Sequence, residues 1–153
     1  MNTQFRFWWH WLVVVACGVL VFSVALVTLP DLMYLLFNLL FFSASQAQLA
    51  FSEGATTYIK FVYGVLGAVM VGWSVLMLLT LVGPFRRRQR EAWLSLAASL
   101  TIWFVVDSGY SVLTGFWQNA ALNVAFFAGF AVPLVATYRF FRGAVQVRGT
   151  SAH

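Results

Sequence analysis

Four stretches of this chain, Trp8–Leu29, Phe61–Val82, Trp93–Thr114 and Ala120–Tyr138, are long, apolar and almost free of charge. Crossing a hydrocarbon core takes about 20 mostly apolar residues as a helix. Lipid offers no hydrogen bonds to an exposed backbone, and four strands cannot close a barrel, so helix is the only state open to these segments. The predicted fold is therefore all-α: an integral membrane four-helix bundle forming one domain. Only 8% of the residues are charged and 62% are hydrophobic, whereas a soluble domain carries about a quarter charged residues. So few charges cannot cover a water-facing surface.

The remaining charges set a direction. Arg6 precedes the first apolar segment, Arg86, Arg87, Arg88 and Arg90 lie between the second and third, and Arg139, Arg142 and Arg148 follow the fourth. The alternate connections hold Lys60 as their only basic residue, beside Asp31 and Glu53. Cytoplasmic loops carry the excess of basic residues, so both termini and the arginine loop are expected in the cytoplasm. The net charge of +5 is thus topogenic, and a nucleic-acid partner is disfavoured. The arginine loop could also hold anionic lipid headgroups. Trp8, Trp9, Trp11, Trp93 and Trp117 fall where an interfacial aromatic belt belongs.

The first segment is longer than a signal-peptide core, and no small-x-small cleavage site follows it. Val14-Val15-Ala16-Cys17 resembles a lipoprotein cleavage box, but cutting there would leave a long apolar run at the new end. A retained helix is expected. The single cysteine excludes an intramolecular disulfide, and no Cys/His cluster exists to bind metal. No cofactor is expected.

Leu32–Phe42 is apolar but too short to span. Thr28-Leu29-Pro30-Asp31 has the chemistry of a helix start: a capping hydroxyl, an early proline and an acid in the first turn. Asp31, Asn38 and Ser45, with Tyr34 nearby, would make one side of such a helix polar. The expectation is an amphipathic helix over 31–45, lying at the outer surface. A fifth span there would put the arginines on opposite sides.

Two rows of small residues mark helix packing: Gly64, Ala68 and Gly72 in the second helix, and Ala121, Ala125 and Gly129 in the fourth. Small residues four apart let a neighbouring backbone approach closely. Packing within the chain is the expected use, and a homo-oligomer or another membrane protein is the alternative. Pro133 removes a backbone donor inside the fourth helix and should kink it near Gly129.

Chemistry concentrates at Asp107, roughly 10 Å below the outer end of the third helix at 1.5 Å per residue. An ionised carboxylate at that depth costs several kcal/mol unless paired, hydrated or protonated. Ser99, Trp103, Asp107, Tyr110, Ser111 and Thr114 share about a third of the helix circumference. Trp117, Gln118, Asn119 and Asn123 enter from the same side. Asn123 and Tyr63 are the expected partners from other helices, so the candidate ligand site is Asp107, Tyr110, Ser111, Trp103, Asn123 and Tyr63. An ion pair between Asp107 and Lys60 is disfavoured, because helical side chains lean toward the N-terminus. Lys60 then leans outward while Asp107 leans deeper. His10, within Trp8-Trp9-His10-Trp11, could ligate a haem or chlorophyll metal; membership of an interfacial aromatic cluster is preferred.

The run from Phe61 to Trp73 (FVYGVLGAVMVGW), with Trp103-Phe104-Val105-Val106-Asp107-Ser108-Gly109, resembles small bacterial four-helix membrane proteins, most nearly the broad DoxX-like group. The resemblance covers the second to fourth helices. It implies an inner-membrane bundle of bacterial origin, and it carries over no catalytic residues. There is no HExxH, no Gly-rich phosphate loop, no Ser/His/Asp set and no pair of acids within the spans. The expectation is a non-enzymatic accessory or interaction subunit of a membrane assembly. A small-molecule binder or transporter built around Asp107 is the alternative, and a pigment or quinone site lined by aromatic rings is a third.

Overall fold

A computed structural model describes residues 2–42 and 51–142. The described chain is all-α, with no strand among the described residues. Its helices are α1 (Thr3–Thr28), α2 (Pro30–Phe41), α3 (Glu53–Thr80), α4 (Arg90–Leu113) and α5 (Trp117–Thr137). α3 runs on into a π-helical turn at Leu81–Phe85, and a 3₁₀ turn at Tyr138–Phe140 follows α5. Among the described residues, four helices are long and apolar enough to cross a membrane, as a four-helix membrane fold requires; α2 is a shorter apolar helix.

The spans start earlier than hydropathy implies, because polar residues supply their first turns. The Asn2 side chain accepts the backbone N–H of Gln4 at 3.0 Å, and Ser52 Oγ accepts that of Ala55 at 3.3 Å. Each side chain caps donors that a helix start leaves unpaired. Glu53 adds an acid to the first turn of α3, where the helix dipole favours it. Pro30 opens α2 as expected, but the capping hydroxyl does not. Thr28 bonds back to the carbonyl of Val24 at 2.9 Å and so finishes α1 instead. The 43–45 end of the expected surface helix lies outside the described residues.

The chain divides into two compact units, residues 17–75 and residues 1–16 with 76–153. In the first, α1 and α3 meet at Gly67. A Cβ built there would lie 2.8 Å from the Ser23 carbonyl oxygen and 2.7 Å from Leu26 Cβ. The absence of a side chain is what permits this approach. α2 is tied to α3 by Lys60 Nζ and Asp31 Oδ1, 2.5 Å apart. Tyr34 lies beside this pair, with Lys60 Nζ 5.7 Å from its ring centre. Hydrogen bonds from Thr56 and Asn38 hold its phenol below the usual tyrosine range, burial opposes them, and the Lys60 charge assists.

In the second unit, α4 turns into α5 through Thr114, Gly115 and Phe116. Gly115 has φ 87°, a left-handed conformation that glycine adopts at little cost. Its N–H donates to Val112 at 3.1 Å, and that of Phe116 to Ser111 at 2.8 Å. This pair of bonds is the Schellman motif, and it sends α5 back along α4.

The turn before α4 repeats the same pattern with Arg88 in glycine's place. Arg88 has φ 58°, its N–H donates to Phe85 at 2.8 Å, and the Gln89 N–H donates to Pro84 at 3.0 Å. Left-handed backbone costs a side-chain-bearing residue about 1–2 kcal/mol. The Arg88 guanidinium offsets part of this by lying 5.0 Å from the Phe5 ring centre and 5.6 Å from that of Phe140. Phe5, Phe85 and Phe141 are fully buried there, with ring centres 4.8–6.1 Å apart.

Candidate functional site

The α4–α5 pair carries the polar cluster. Asn123 Nδ2 donates to Asp107 Oδ2 at 3.0 Å, and Asn119 Nδ2 donates to Asp107 Oδ1 at 3.3 Å. Asn119 also reaches Ser111 Oγ at 2.8 Å, and Asn123 reaches Ser108 Oγ at 3.2 Å. Ser111 Oγ donates to the carbonyl of Asp107 at 2.7 Å. Both carboxylate oxygens are therefore occupied by neutral amide donors from the neighbouring helix. Four residues separate Asn119 from Asn123, which stacks them on one face of α5, and the Gly115 turn aims that face at α4.

Asp107, Ser111 and Asn123 come together as expected. Asn119 and Ser108 complete the cluster and were missing from the expected set. The signal for Asn119 was present: it precedes Asn123 by one helical turn. Ser108 lies off the polar stripe of α4, and its bond to Asn123 recruits it. Tyr110 is 69% exposed, and the carboxylate's side-chain partners are Asn119 and Asn123 instead. Trp103 is half-buried on α4, one turn below Asp107. Tyr63 belongs to the other unit, where its ring centre lies 5.1 Å from that of Phe37. Lys60 pairs with Asp31, its neighbour on α2, at 2.5 Å.

One polar atom of the second unit stands out. Gln118 Oε1 is buried without a hydrogen-bond partner, directly before Asn119. A buried amide oxygen left unpaired forfeits about 1–3 kcal/mol.

The small-residue rows divide unequally. On α3, a Cβ built at Gly64 or Gly72 meets no described atom within 4 Å, and Ala68 between them is exposed. The close contact with α1 falls on Gly67, on a different face. On α5, a Cβ built at Gly129 would lie 3.7 Å from Val15 Cγ1 of α1, while Ala121 and Ala125 are exposed.

Three tryptophans expected in an aromatic belt also form polar struts. Trp11 Nε1 donates to the Gly129 carbonyl at 3.0 Å. That carbonyl has no helical donor, because the residue four further on is Pro133. Trp93 Nε1 donates to the Leu134 carbonyl at 2.8 Å, where the N–H of Tyr138 turns to Val135 instead. Trp9 Nε1 donates to the Leu81 carbonyl at 2.8 Å, the first residue of the π turn. Each indole thus serves a carbonyl at a break in regular α-helix.

The arginines gather at the opposite end of this unit from Asp107. Arg86 stacks 5.1 Å from the Trp9 ring centre, and Arg139 donates to the Gln4 side chain. Arg142 lies 4.7 Å from the Tyr138 ring centre. Arg148 lies outside the described residues. No protein-family model matches the chain, and neither the curated proteins nor the solved structures give a match.

Proposed function

We propose that this chain is a non-enzymatic integral membrane protein that serves as an interaction subunit of a larger assembly in a bacterial inner membrane. The observation that carries the reading is the open row of Gly64, Ala68 and Gly72 on α3. Glycine and alanine give up contact with lipid tails, and they favour association when a second backbone can approach closely. α1 makes its close approach at Gly67, so the row is left for a helix from another chain. Asp107 supports the same reading. Its two oxygens are held by Asn119 and Asn123, a joint between α4 and α5 of the kind polar groups make inside membranes.

Both termini are assigned to the cytoplasm on the arginine distribution. The grouping of Arg86, Arg88, Arg139 and Arg142 at one end of α1, α4 and α5 supports that orientation.

The test is gentle detergent extraction from native membranes, with mass spectrometry of what is retained. A fixed set of partner chains is expected, unchanged by Asp107→Asn. A chain recovered alone, at any detergent strength, contradicts the proposal. A second reading, a small-molecule binder at Asp107, draws on the unpaired Gln118 Oε1. It predicts a ligand-dependent thermal shift that Asp107→Asn abolishes.

A further inference from the structure

Four residues at the start of α1, Thr3, Arg6, Phe7 and His10, recur at the spacing of a single helix face. They line a groove together with Trp9 and with Arg86, which follows the π turn. The groove is shallow, more open than enclosed, and has a volume of about 640 Å³. Its polar groups are two guanidiniums, an imidazole and a hydroxyl. Among the described residues no carboxylate lies within 4.0 Å of either guanidinium, so two positive charges face the groove uncompensated.

Two of these groups are held in place. The Arg86 guanidinium stacks 5.1 Å from the Trp9 ring centre, and Trp9 is fixed by its bond to Leu81. His10 Nδ1 lies 2.7 Å from the Arg6 carbonyl. A carbonyl only accepts, so Nδ1 carries the hydrogen and this bond holds the ring in the groove wall. Below the groove, Phe7, Trp11 and Val14 form an exposed apolar face on α1, at 57%, 47% and 68% exposure. The order along the helix is cationic groove, aromatic rings, then aliphatic surface.

We infer that this groove binds the phosphate of an anionic membrane lipid, with Arg6 and Arg86 on the phosphate oxygens and the acyl chains along Phe7, Trp11 and Val14. Guanidinium forks match phosphate geometry, and the apolar face below is what a free anion would not use. The inference rests on the membrane placement given above. It is independent of whether the chain has protein partners, because it concerns the isolated chain.

The experiment is native mass spectrometry of the full chain in a neutral detergent, with phosphatidylglycerol, phosphatidylcholine or inorganic phosphate added. It is run near 0.15 M ionic strength, where charges beyond about 8 Å are screened. The expected result is a bound phosphatidylglycerol that phosphatidylcholine does not replace and millimolar phosphate does not displace. Arg6→Gln, at an exposed position, should weaken it about fivefold, the equivalent of about 1 kcal/mol per basic residue. Adding Arg86→Gln should weaken it further. Arg87→Gln with Arg90→Gln removes the same charge from residues that do not line the groove and should leave binding intact. Equal loss in that control, equal retention of phosphatidylcholine, or displacement by phosphate overturns the inference. Partner co-purification is read separately, so failure here leaves the assembly proposal untouched.

Discussion

The indole N–H of Trp11 on α1 donates to the carbonyl of Gly129 on α5 at 3.0 Å, four residues before a proline that cannot supply the helical bond. The proline and the tryptophan are therefore one feature. Pro133 leaves an acceptor, and Trp11 fills it from another helix. This ties α1 to α5 at a position where a Cβ built on Gly129 would lie 3.7 Å from Val15 Cγ1.

The relationship has a direct test in a double-mutant cycle. Trp11→Phe keeps most of the ring and removes the donor, which leaves the carbonyl unpaired at a cost of about 1–3 kcal/mol. In a Pro133→Ala background the helix regains its own N–H at that position. Trp11→Phe should then cost clearly less, measured as unfolding free energy in detergent. Equal losses in the two backgrounds would show that the bond does not depend on the proline.

The joint at Asp107 should behave as a unit. Asp107→Ala and Asn123→Ala should each destabilise the protein, and the double variant should lose less than the sum. Residues sharing one hydrogen-bond network couple in this way. Polar contacts between membrane helices average about 0.6 kcal/mol, with a maximum near 1.7, so modest single losses are expected. The thermal midpoint in detergent is the readout, and strict additivity would contradict the network.

Arg88 offers a different comparison. Arg88→Ala keeps the strained left-handed backbone and loses both ring contacts. Arg88→Gly loses the same contacts and relieves the strain. The glycine variant should therefore be the more stable of the two by about 1 kcal/mol, read from chemical denaturation. The reverse order would mean that the backbone at this turn is not strained.

On α3, the packing glycine is Gly67. Gly67→Ala places a methyl group against the Ser23 carbonyl, which cannot move aside without shifting α1, and should cost about 1–3 kcal/mol. Gly64→Ala meets open space and should be neutral or slightly stabilising, since alanine favours helix over glycine by about 1 kcal/mol. Paired thermal unfolding curves separate the two sites.

The helices were legible in the sequence because bilayer thickness dictates their length and lipid dictates their composition. Their true starts were not, since Asn2, Ser52 and Glu53 act through caps and dipole and look like loop residues to an apolar count. At the candidate site, the approach of Asn123 to Asp107 could be read from helical geometry. Helix phase did not bring in Ser108, because its link to Asn123 depends on how the Gly115 turn orients α5. The roles of Trp9, Trp11 and Trp93 were hidden by their position, where an interfacial ring needs no further reason. A proline four residues after Gly129 was the visible sign of an acceptor awaiting a donor. The α3 row shows the opposite limit: small-residue spacing marks a face for close approach, but not which helix comes to it.

The assembly proposal turns on that row. Ala68→Leu with Gly72→Leu fills a face that no described part of the chain contacts at Gly72, so the isolated protein should keep its thermal midpoint. The decisive measurement is the mass of the particle released from native membranes by a mild detergent. A defined complex heavier than the chain, lost in the double leucine variant while the isolated chain stays folded, is the predicted result. A wild-type particle with the mass of one chain, or a complex indifferent to both leucines, would contradict it.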